Sequence, residues 1–247
     1  MNYLAISILF SSVLLGGLIV HWVNVSQKTL RMLLSFSGAF LLTLAFTKII
    51  PEIFSSSDNQ WLGYFVLLGF FIQIIMEYFS KGLDHGHSHN HDEHNSQGFL
   101  GINPYGLFIA ISLHAFFEGM PFSGHFQGHE HVDNLLLLGI VIHKIPIAIV
   151  IMSLFLGAGY SKGKSFFYLM IFALTAPLGS LVSYLAGNYF TDIENYYRII
   201  MAIVVGIFFH IATVILYEGD KGHKFNIFKF LIVLFGIFIA LIVSNLH

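Results

Sequence analysis

The amino-acid sequence predicts an all-α, polytopic membrane protein with eight transmembrane helices. Three observations support this prediction: an apolar composition, eight apolar stretches of spanning length, and basic residues that fall on one side of the predicted membrane. Hydrophobic residues make up 56% of the 247 residues and charged residues only 10%, and the mean hydropathy is +0.79. Such a composition excludes a water-soluble domain, and we expect no nucleic-acid partner.

The apolar stretches have the length that a bilayer requires. A helix needs about 20 residues to cross roughly 30 Å of hydrocarbon. Eight stretches reach that length: 3–23, 32–50, 61–79, 99–120, 135–157, 166–188, 198–217 and 225–246. The connections between them are too short to form a second folded domain. We therefore expect residues 1–247 to form one membrane domain in contact with lipid.

The distribution of Lys and Arg predicts the orientation of these spans. If the N-terminus lies outside, the outer loops contain only Arg198. The inner loops then contain Lys28, Arg31, Lys81, Lys162, Lys164, Lys221, Lys224 and Lys229. Because basic residues accumulate on the cytoplasmic side of membrane proteins, both termini are expected to be extracytoplasmic. The short loops favour a cell membrane, specifically the cytoplasmic membrane of a bacterium.

A short internal similarity links the second and seventh spans. Gly38-Ala39-Phe40-Leu41 is followed by Pro51-Glu52, and Gly206-Ile207-Phe208-Phe209 is followed by Glu218. The two spans run in opposite directions, so the similarity predicts an inverted repeat that relates spans 1–3 to spans 6–8. Two short matches also arise by chance, and the sequence leaves both alternatives open.

Three metal-ligating side chains fall within the fourth and fifth spans. His114 and Glu118 are four residues apart and share one face of a helix. His143 lies at a similar depth in the next span, which is antiparallel, so the three can converge on one ion. The chain has no cysteine, which excludes thiolate ligands. Two imidazoles and a carboxylate favour Zn²⁺, with Fe²⁺, Mn²⁺, Co²⁺ and Cd²⁺ as further candidates.

Ionisable side chains in hydrocarbon mark a pathway more often than a scaffold, which predicts transport of the metal. An open site with three protein ligands can exchange its ion, whereas a closed four-ligand site holds it. The alternative for each intramembrane His is a hydrogen bond to a backbone carbonyl.

Two polar loops are also rich in histidine. Residues 80–98 form a predicted cytoplasmic loop, which could buffer metal or serve only as a solvated linker. Its weak candidate ligands are His85, His87, His89, His91 and His94. The predicted outer loop before the fifth span offers a possible entrance for metal. Its histidines are His125, His129 and His131, beside Glu130 and Asp133.

Taken together, these motifs resemble those of the ZIP metal-ion transporters. They are His114-x-x-x-Glu118-Gly119, His143-Lys144-x-Pro146, Gly38-Ala39-Phe40 through Pro51-Glu52, Ala176-Pro177-Leu178-Gly179 and the His-rich inner loop. The resemblance implies eight spans, outward termini and uptake of Zn²⁺ or a related metal into the cytoplasm. It also implies a homodimer in which a transport bundle moves against a scaffold bundle.

The chain departs from the pattern of that family at positions that support a second metal. Many relatives have Asn at position 115 and an acidic residue or Asn at 144, where this chain has Ala115 and Lys144. Ile147 replaces the usual Glu of the fifth span, and Lys48 replaces a His before Pro-Glu. We expect the Lys144 ammonium to turn toward Glu118 and to substitute for the second cation.

Two other classes of function are alternatives to transport. An intramembrane zinc-dependent hydrolase would use Glu118 as a general base, but the sequence contains no His-Glu-x-x-His motif. A haem protein would use two His residues as axial ligands. We expect a carrier and not an enzyme.

Overall fold

The chain is helical wherever its structure is described. The computed structural model describes residues 2–23, 25–55, 60–82, 104–124, 130–217 and 226–245, and these ranges contain no strand. Seven of their helices are long and apolar enough to cross a membrane, and Leu62–Tyr78 is a shorter apolar segment. The helices are α1 (Tyr3–Trp22), α2 (Gln27–Ile53), α3 (Leu62–Gly82), α4 (Pro104–Gly119), α5 (Glu130–Gly157), α6 (Lys162–Gly187), α7 (Ile193–Tyr217) and α8 (Ile227–Asn245). The predicted all-α membrane fold is confirmed.

Polar side chains define where several helices begin. Asn2 Oδ1 accepts a hydrogen bond from the Ala5 amide at the start of α1, and Ser26 Oγ accepts one from the Thr29 amide at the start of α2. Asp192 caps α7 in the same way. These side chains satisfy amides that have no partner within the helix. The loops between the spans can therefore be short.

α2 changes its helical geometry in its second half. Residues Ala45–Ile49 form a π-helical turn between α-helical segments, and the Ile50 amide donates to the Ala45 carbonyl, five residues back. Pro51 follows and has no amide to donate, which removes one α-helical hydrogen bond at this point. Turns of this kind are frequent at functional sites. Hydropathy alone did not indicate the turn.

The helices form two groups in their packing. α1 and α4 pack against α5 and α6, and their apolar side chains share one buried cluster. α2 packs against α7 and α8, and α3 packs against α7. The two groups meet mainly where α2 contacts α5 and where α3 contacts α4. Both candidate spans of the metal site, α4 and α5, lie in the first group.

A turn of 3₁₀ helix follows the C-terminal end of α4. It covers Met120–Ser123 and ends at Gly124, whose φ of 80° is accessible to glycine at little cost. The Phe122 carbonyl accepts hydrogen bonds from the Asn2 amide and the Ser180 hydroxyl. This turn therefore fixes α4 relative to α1 and α6.

At the end of the first group away from this turn, tyrosines connect the start of α4, the turn after α5 and the start of α6. The Tyr105 hydroxyl contacts those of Tyr160 and Tyr168, and Tyr168 stacks on Phe155 with ring centroids 4.1 Å apart. Tyr160 lies in the turn outside the spans, and its hydrogen bond to Tyr105 raises the pKa of the Tyr160 hydroxyl. α4 and α6 are thus joined at both ends.

The outer surface of the helices is apolar, as a protein in lipid requires. In the apolar stretch of α8 only 17% of the residues are buried inside the protein. Phe228, Phe235 and Phe238 on that helix are each more than half exposed. An apolar surface of this extent would cause association in water. It indicates contact with lipid or with another helical surface.

Several boundaries differ from those that the sequence predicts. The predicted second span begins at residue 32, whereas α2 begins at Gln27, because its capped first turn is polar but still helical. The predicted fifth span begins at 135, whereas α5 begins at Glu130. α3 continues to Gly82, so the first three residues of the predicted loop 80–98 are helical. Hydropathy detects the hydrocarbon length and not the polar turns that extend from it.

Candidate metal site

His114 and Glu118 project from the last turns of α4 into the interior of the first helix group. Their side chains are 3% and 1% exposed, and His114 Nε2 lies 3.0 Å from Glu118 Oε1. The spacing of four residues places them one above the other on the same helix face. Burial of an ionisable pair at this depth is costly unless a partner compensates for it.

His143 completes the cluster from α5. One ligand atom from each of His114, Glu118 and His143 lies within 4.8 Å of the other two. The two imidazole rings are 6.0 Å apart between centroids and nearly perpendicular, at 89°. A tetrahedral ion with ligands about 2.1 Å away separates those ligands by roughly 3.4 Å. Small rotations of the side chains would therefore bring all three onto one cation.

Three polar atoms of this cluster lack a hydrogen-bond partner within the described residues. They are both ring nitrogens of His114 and Oε1 of Glu118. Nε2 and Oε1 nevertheless lie 3.0 Å apart. Buried polar atoms normally have a partner. A neutral imidazole has a lone pair on one of its two nitrogens. That nitrogen of His114 and Oε1 of Glu118 are therefore available to a cation.

Lys144 occupies the other side of the Glu118 carboxylate. Its Nζ lies 2.8 Å from Glu118 Oε2 and 5.4 Å from the centroid of the Phe172 ring. The lysine is only 1% exposed. Glu118 therefore has two chemically different oxygens, because Oε2 pairs with an ammonium and Oε1 faces the imidazoles.

Apolar packing surrounds the positions at which the chain departs from the ZIP pattern. Ala115 and Ile147 are buried in the same cluster as Phe172 and Ala148. Neither Ala115 nor Ile147 has a side chain that can ligate a metal. Within the described residues, His114, Glu118 and His143 form the one group of three or more ligand-type side chains.

Close contact between α4 and α6 fixes the position of the α4 ligands. A Cβ added at Gly119 would lie 2.0 Å from the Ala176 carbonyl oxygen, and one added at Gly179 would lie 1.9 Å from the Phe116 carbonyl oxygen. Each glycine therefore allows the opposite backbone to approach. Gly119 directly follows the candidate ligand Glu118. Gly179 contacts α4 at Phe116, two residues before that ligand.

Most of the histidines predicted in loops lie outside the described residues. These are His85, His87, His89, His91, His94, His125 and His129. His131 belongs to the first turn of α5 and not to a loop, as does Glu130. Asp133 lies in α5 too, where its carboxylate accepts a hydrogen bond of 3.0 Å from the Tyr197 hydroxyl. The predicted entrance loop therefore ends earlier than expected, because α5 has a polar first turn.

Sequence reasoning did not identify two features of the helical interior. Ser37 Oγ on α2 lies 3.0 Å from His143 Nδ1. His210 Nε2 on α7 lies 3.5 Å from Glu77 Oε2 on α3. The partners in each pair are more than a hundred residues apart in sequence. No local spacing could have revealed them.

The fold and the site together define a multi-pass α-helical membrane protein with a buried His–Glu–His cluster. A family model described as the ZIP zinc transporter matches residues 84–244. The chain belongs to the ZIP zinc transporter family. Members of that family are membrane transporters, which agrees with the expectation that the chain is not an enzyme.

Individual relatives show the same similarity. The chain is 26% identical to zinc transporter ZIP9-B of Xenopus laevis over 68% of its own length and 56% of that protein. It is 23% identical to zinc transporter ZIP9 of Xenopus tropicalis over 90% of its own length and 88% of that protein. Zinc transporter zipt-7.1 of Caenorhabditis briggsae is 22% identical, and the alignment covers 70% of this chain and 52% of that protein.

The chain therefore covers only 56% of ZIP9-B and 61% of ZIP9-A of Xenopus laevis. These relatives come from animals, so they give no support to the predicted bacterial membrane. They agree with a multi-pass membrane protein.

Proposed function

We propose that this chain carries divalent metal, with Zn²⁺ favoured, across a membrane through His114, Glu118 and His143. The observation on which the proposal depends is the convergence of three buried ligand atoms within 4.8 Å of one another. Two imidazoles and one carboxylate suit Zn²⁺ better than Mg²⁺ or Ca²⁺. The names of the relatives support zinc, whereas Fe²⁺, Mn²⁺, Co²⁺ and Cd²⁺ rest on ligand chemistry alone.

The open coordination of the cluster fits a carrier better than a structural site. Three protein ligands leave a fourth position for water, so the ion can arrive and leave. The pairing of Lys144 with Glu118 then limits the site to one divalent ion, because the ammonium occupies the charge position of a second one. We propose that the lysine is this charge substitute.

Both termini lie outside in the proposed topology, and zinc moves into the cytoplasm. The basic residues support it. Lys28, Lys162 and Lys229 lie in the first turns of α2, α6 and α8, at one end of the helices, and Arg198 lies near the start of α7 at the other end. We include the loop 80–98 on the cytoplasmic side as a weak metal-binding segment, and His125, His129 and His131 as an entrance. A homodimer and a single transporter domain over 1–247 complete the proposal.

An inverted repeat of spans 1–3 and 6–8 is supported by the pairs of helices that pack together. α1 packs against α5, and its counterpart α6 packs against α4. α3 packs against α7, and its counterpart α8 packs against α2. Glycine occurs at the closest approach in each pair: Gly16, Gly119 with Gly179, Gly69 with Gly206, and Gly236.

Metal uptake into proteoliposomes tests the transport site. Purified wild type is expected to carry Zn²⁺, and His114→Ala and His143→Ala are each expected to lose more than about 90% of the flux. Loss of a ligand should cost at least as much as loss of a ligand's hydrogen-bond partner, which costs about 10–100-fold.

His210→Ala is the matched control, because His210 is also a buried imidazole and lies on α7, outside the cluster. It should retain most of the flux. Undiminished transport by both site variants would remove these residues from the pathway, and wild-type protein without zinc flux would contradict the carrier itself.

A further inference from the structure

We infer that Ser37 is a positioning residue that holds His143 in the tautomer able to bind metal. The inference rests on the proposed function of the His114–Glu118–His143 cluster. Ser37 Oγ lies 3.0 Å from His143 Nδ1 and 3.1 Å from the Leu34 carbonyl oxygen. Ser37 is 0% exposed and His143 is 1% exposed.

The tautomer follows from a count of protons. A serine hydroxyl has one proton and accepting lone pairs, a carbonyl oxygen only accepts, and a neutral imidazole carries one N–H. If Ser37 donates to Leu34, then Nδ1 of His143 must donate to Ser37. Nε2 then carries the lone pair. Only in this arrangement are the contacts of Ser37 Oγ with the Leu34 carbonyl and with His143 Nδ1 both hydrogen bonds.

The reverse arrangement cannot bind a cation at His143. There Ser37 would donate to Nδ1, which would put the imidazole proton on Nε2. Nδ1 would be occupied by the hydroxyl and Nε2 by a proton, so neither nitrogen could ligate. Metal-bound imidazoles almost always donate their other N–H to a fixed acceptor, which sets both tautomer and ring orientation. Ser37 supplies that acceptor here.

The position of Ser37 gives this contact a second consequence. His114 and Glu118 belong to α4 and His143 to α5, whereas Ser37 belongs to α2 in the other helix group. The metal-binding tautomer therefore depends on contact between the two groups of helices. A conformation that separates α2 from α5 would release the imidazole and weaken its hold on the ion.

Zinc affinity and flux distinguish this role from ordinary packing. Ser37→Ala is expected to bind Zn²⁺ about 10–100-fold more weakly than wild type. Ser37→Thr retains a hydroxyl and should restore most of that affinity. The control is Ser35→Ala, because Ser35 is also buried on α2, at 1% exposure, and should behave as wild type. Equal affinity of Ser37→Ala and wild type would overturn the inference.

The tautomer itself can be measured without metal. Nitrogen NMR of protein labelled with ¹⁵N-histidine separates protonated from unprotonated ring nitrogens, and His143→Asn identifies the signal of His143. Wild type should show protonated Nδ1 and unprotonated Nε2, and Ser37→Ala should show a mixture. Protonated Nε2 in wild type would overturn the inference, as would a Ser37→Ala variant whose tautomer is unchanged.

The two readouts separate failure of this inference from failure of the proposed function. If wild type carries zinc and His114→Ala does not, but Ser37→Ala matches wild type, only the role of Ser37 is wrong. If wild type carries no zinc, the transport proposal is wrong. The NMR measurement on the metal-free protein still tests whether Ser37 sets the tautomer of His143.

Discussion

Glu118 is the residue on which the chemistry of the cluster depends. One carboxylate oxygen faces His114 at 3.0 Å, and the other faces Lys144 at 2.8 Å. A carboxylate in hydrocarbon is stable only with compensating charge or hydrogen bonds. The Lys144 ammonium supplies that charge, so the carboxylate has an ion-pair partner when no metal is bound. The same ammonium would repel a dication bound at the proposed site and so lower the affinity for it.

Replacement of Lys144 by methionine tests this balance at the residue scale. Unit charges 4 Å apart interact by about 4 kcal/mol at an effective dielectric constant of 20, and about 1.4 kcal/mol corresponds to a tenfold change in affinity. We therefore expect Lys144→Met to bind Zn²⁺ at least about tenfold more tightly and to release it more slowly. Competition titrations with a fluorescent zinc chelator measure the affinity, and titrations with Cd²⁺, Co²⁺ and Mn²⁺ measure selectivity.

Lys48→Met is the control for loss of a lysine within a span. It should leave affinity within about threefold of wild type, because Lys48 lies in the π turn of α2 and forms no part of the cluster. Circular dichroism should show that both variants remain helical. Affinity that is unchanged or weaker in Lys144→Met for every metal tested would contradict the charge-substitution proposal.

At the scale of elements, the contact between α4 and α6 determines where the ligands lie. The backbones touch at Gly119 and Gly179, where an added methyl group would overlap a carbonyl oxygen of the facing helix. In lipid, helices associate through close packing of this kind, because burial of apolar surface gives no advantage there. A shift of α4 away from α6 would move His114 and Glu118 together relative to His143.

Gly179→Ala should therefore affect both stability and the metal site. The Cβ would lie 1.9 Å from the Phe116 carbonyl oxygen, and overpacking of this kind costs about 1–3 kcal/mol. We expect a lower midpoint of thermal unfolding in detergent, by several degrees, together with weaker Zn²⁺ binding.

Gly163→Ala on the same helix is the matched control, because nothing lies within 4 Å of its added Cβ. It should be neutral or slightly stabilising, since alanine is the better helix former by about 1 kcal/mol. If Gly179→Ala unfolds at the same temperature and binds Zn²⁺ as tightly as Gly163→Ala, the contact between α4 and α6 does not position the site.

The sequence predicted the spans well, because hydrophobic length is a local property of the chain. It also predicted the approach of His114, Glu118 and His143, because helix periodicity and an antiparallel hairpin bring neighbours to the same depth. It did not predict the contact of Ser37 with His143 or of Glu77 with His210. Those contacts depend on the rotation of helices that are distant in sequence, and hydropathy carries no information about rotation. The π turn of α2 was also missed, since Pro51 alone predicts only a break or a kink.

At the scale of the whole molecule, the orientation of the helices decides which face of the protein meets the cytoplasm. The charge asymmetry between loops predicts that both termini lie outside, and the absence of cysteine from the chain makes this prediction directly measurable. Single cysteines can be introduced at exposed loop positions and labelled in intact cells with a maleimide that does not cross membranes. Val23 and Ala158 lie at the ends predicted to be cytoplasmic, and Asn188 and Thr191 lie at the opposite end.

Asn188→Cys and Thr191→Cys should react in intact cells, whereas Val23→Cys and Ala158→Cys should react only after the membrane is permeabilised. Lys28, Lys162 and Lys164 lie near Val23 and Ala158, and loops rich in basic residues tend to stay on the cytoplasmic side. Each variant must first retain zinc flux, so that labelling reports a functional fold. The opposite labelling pattern would contradict the proposed topology.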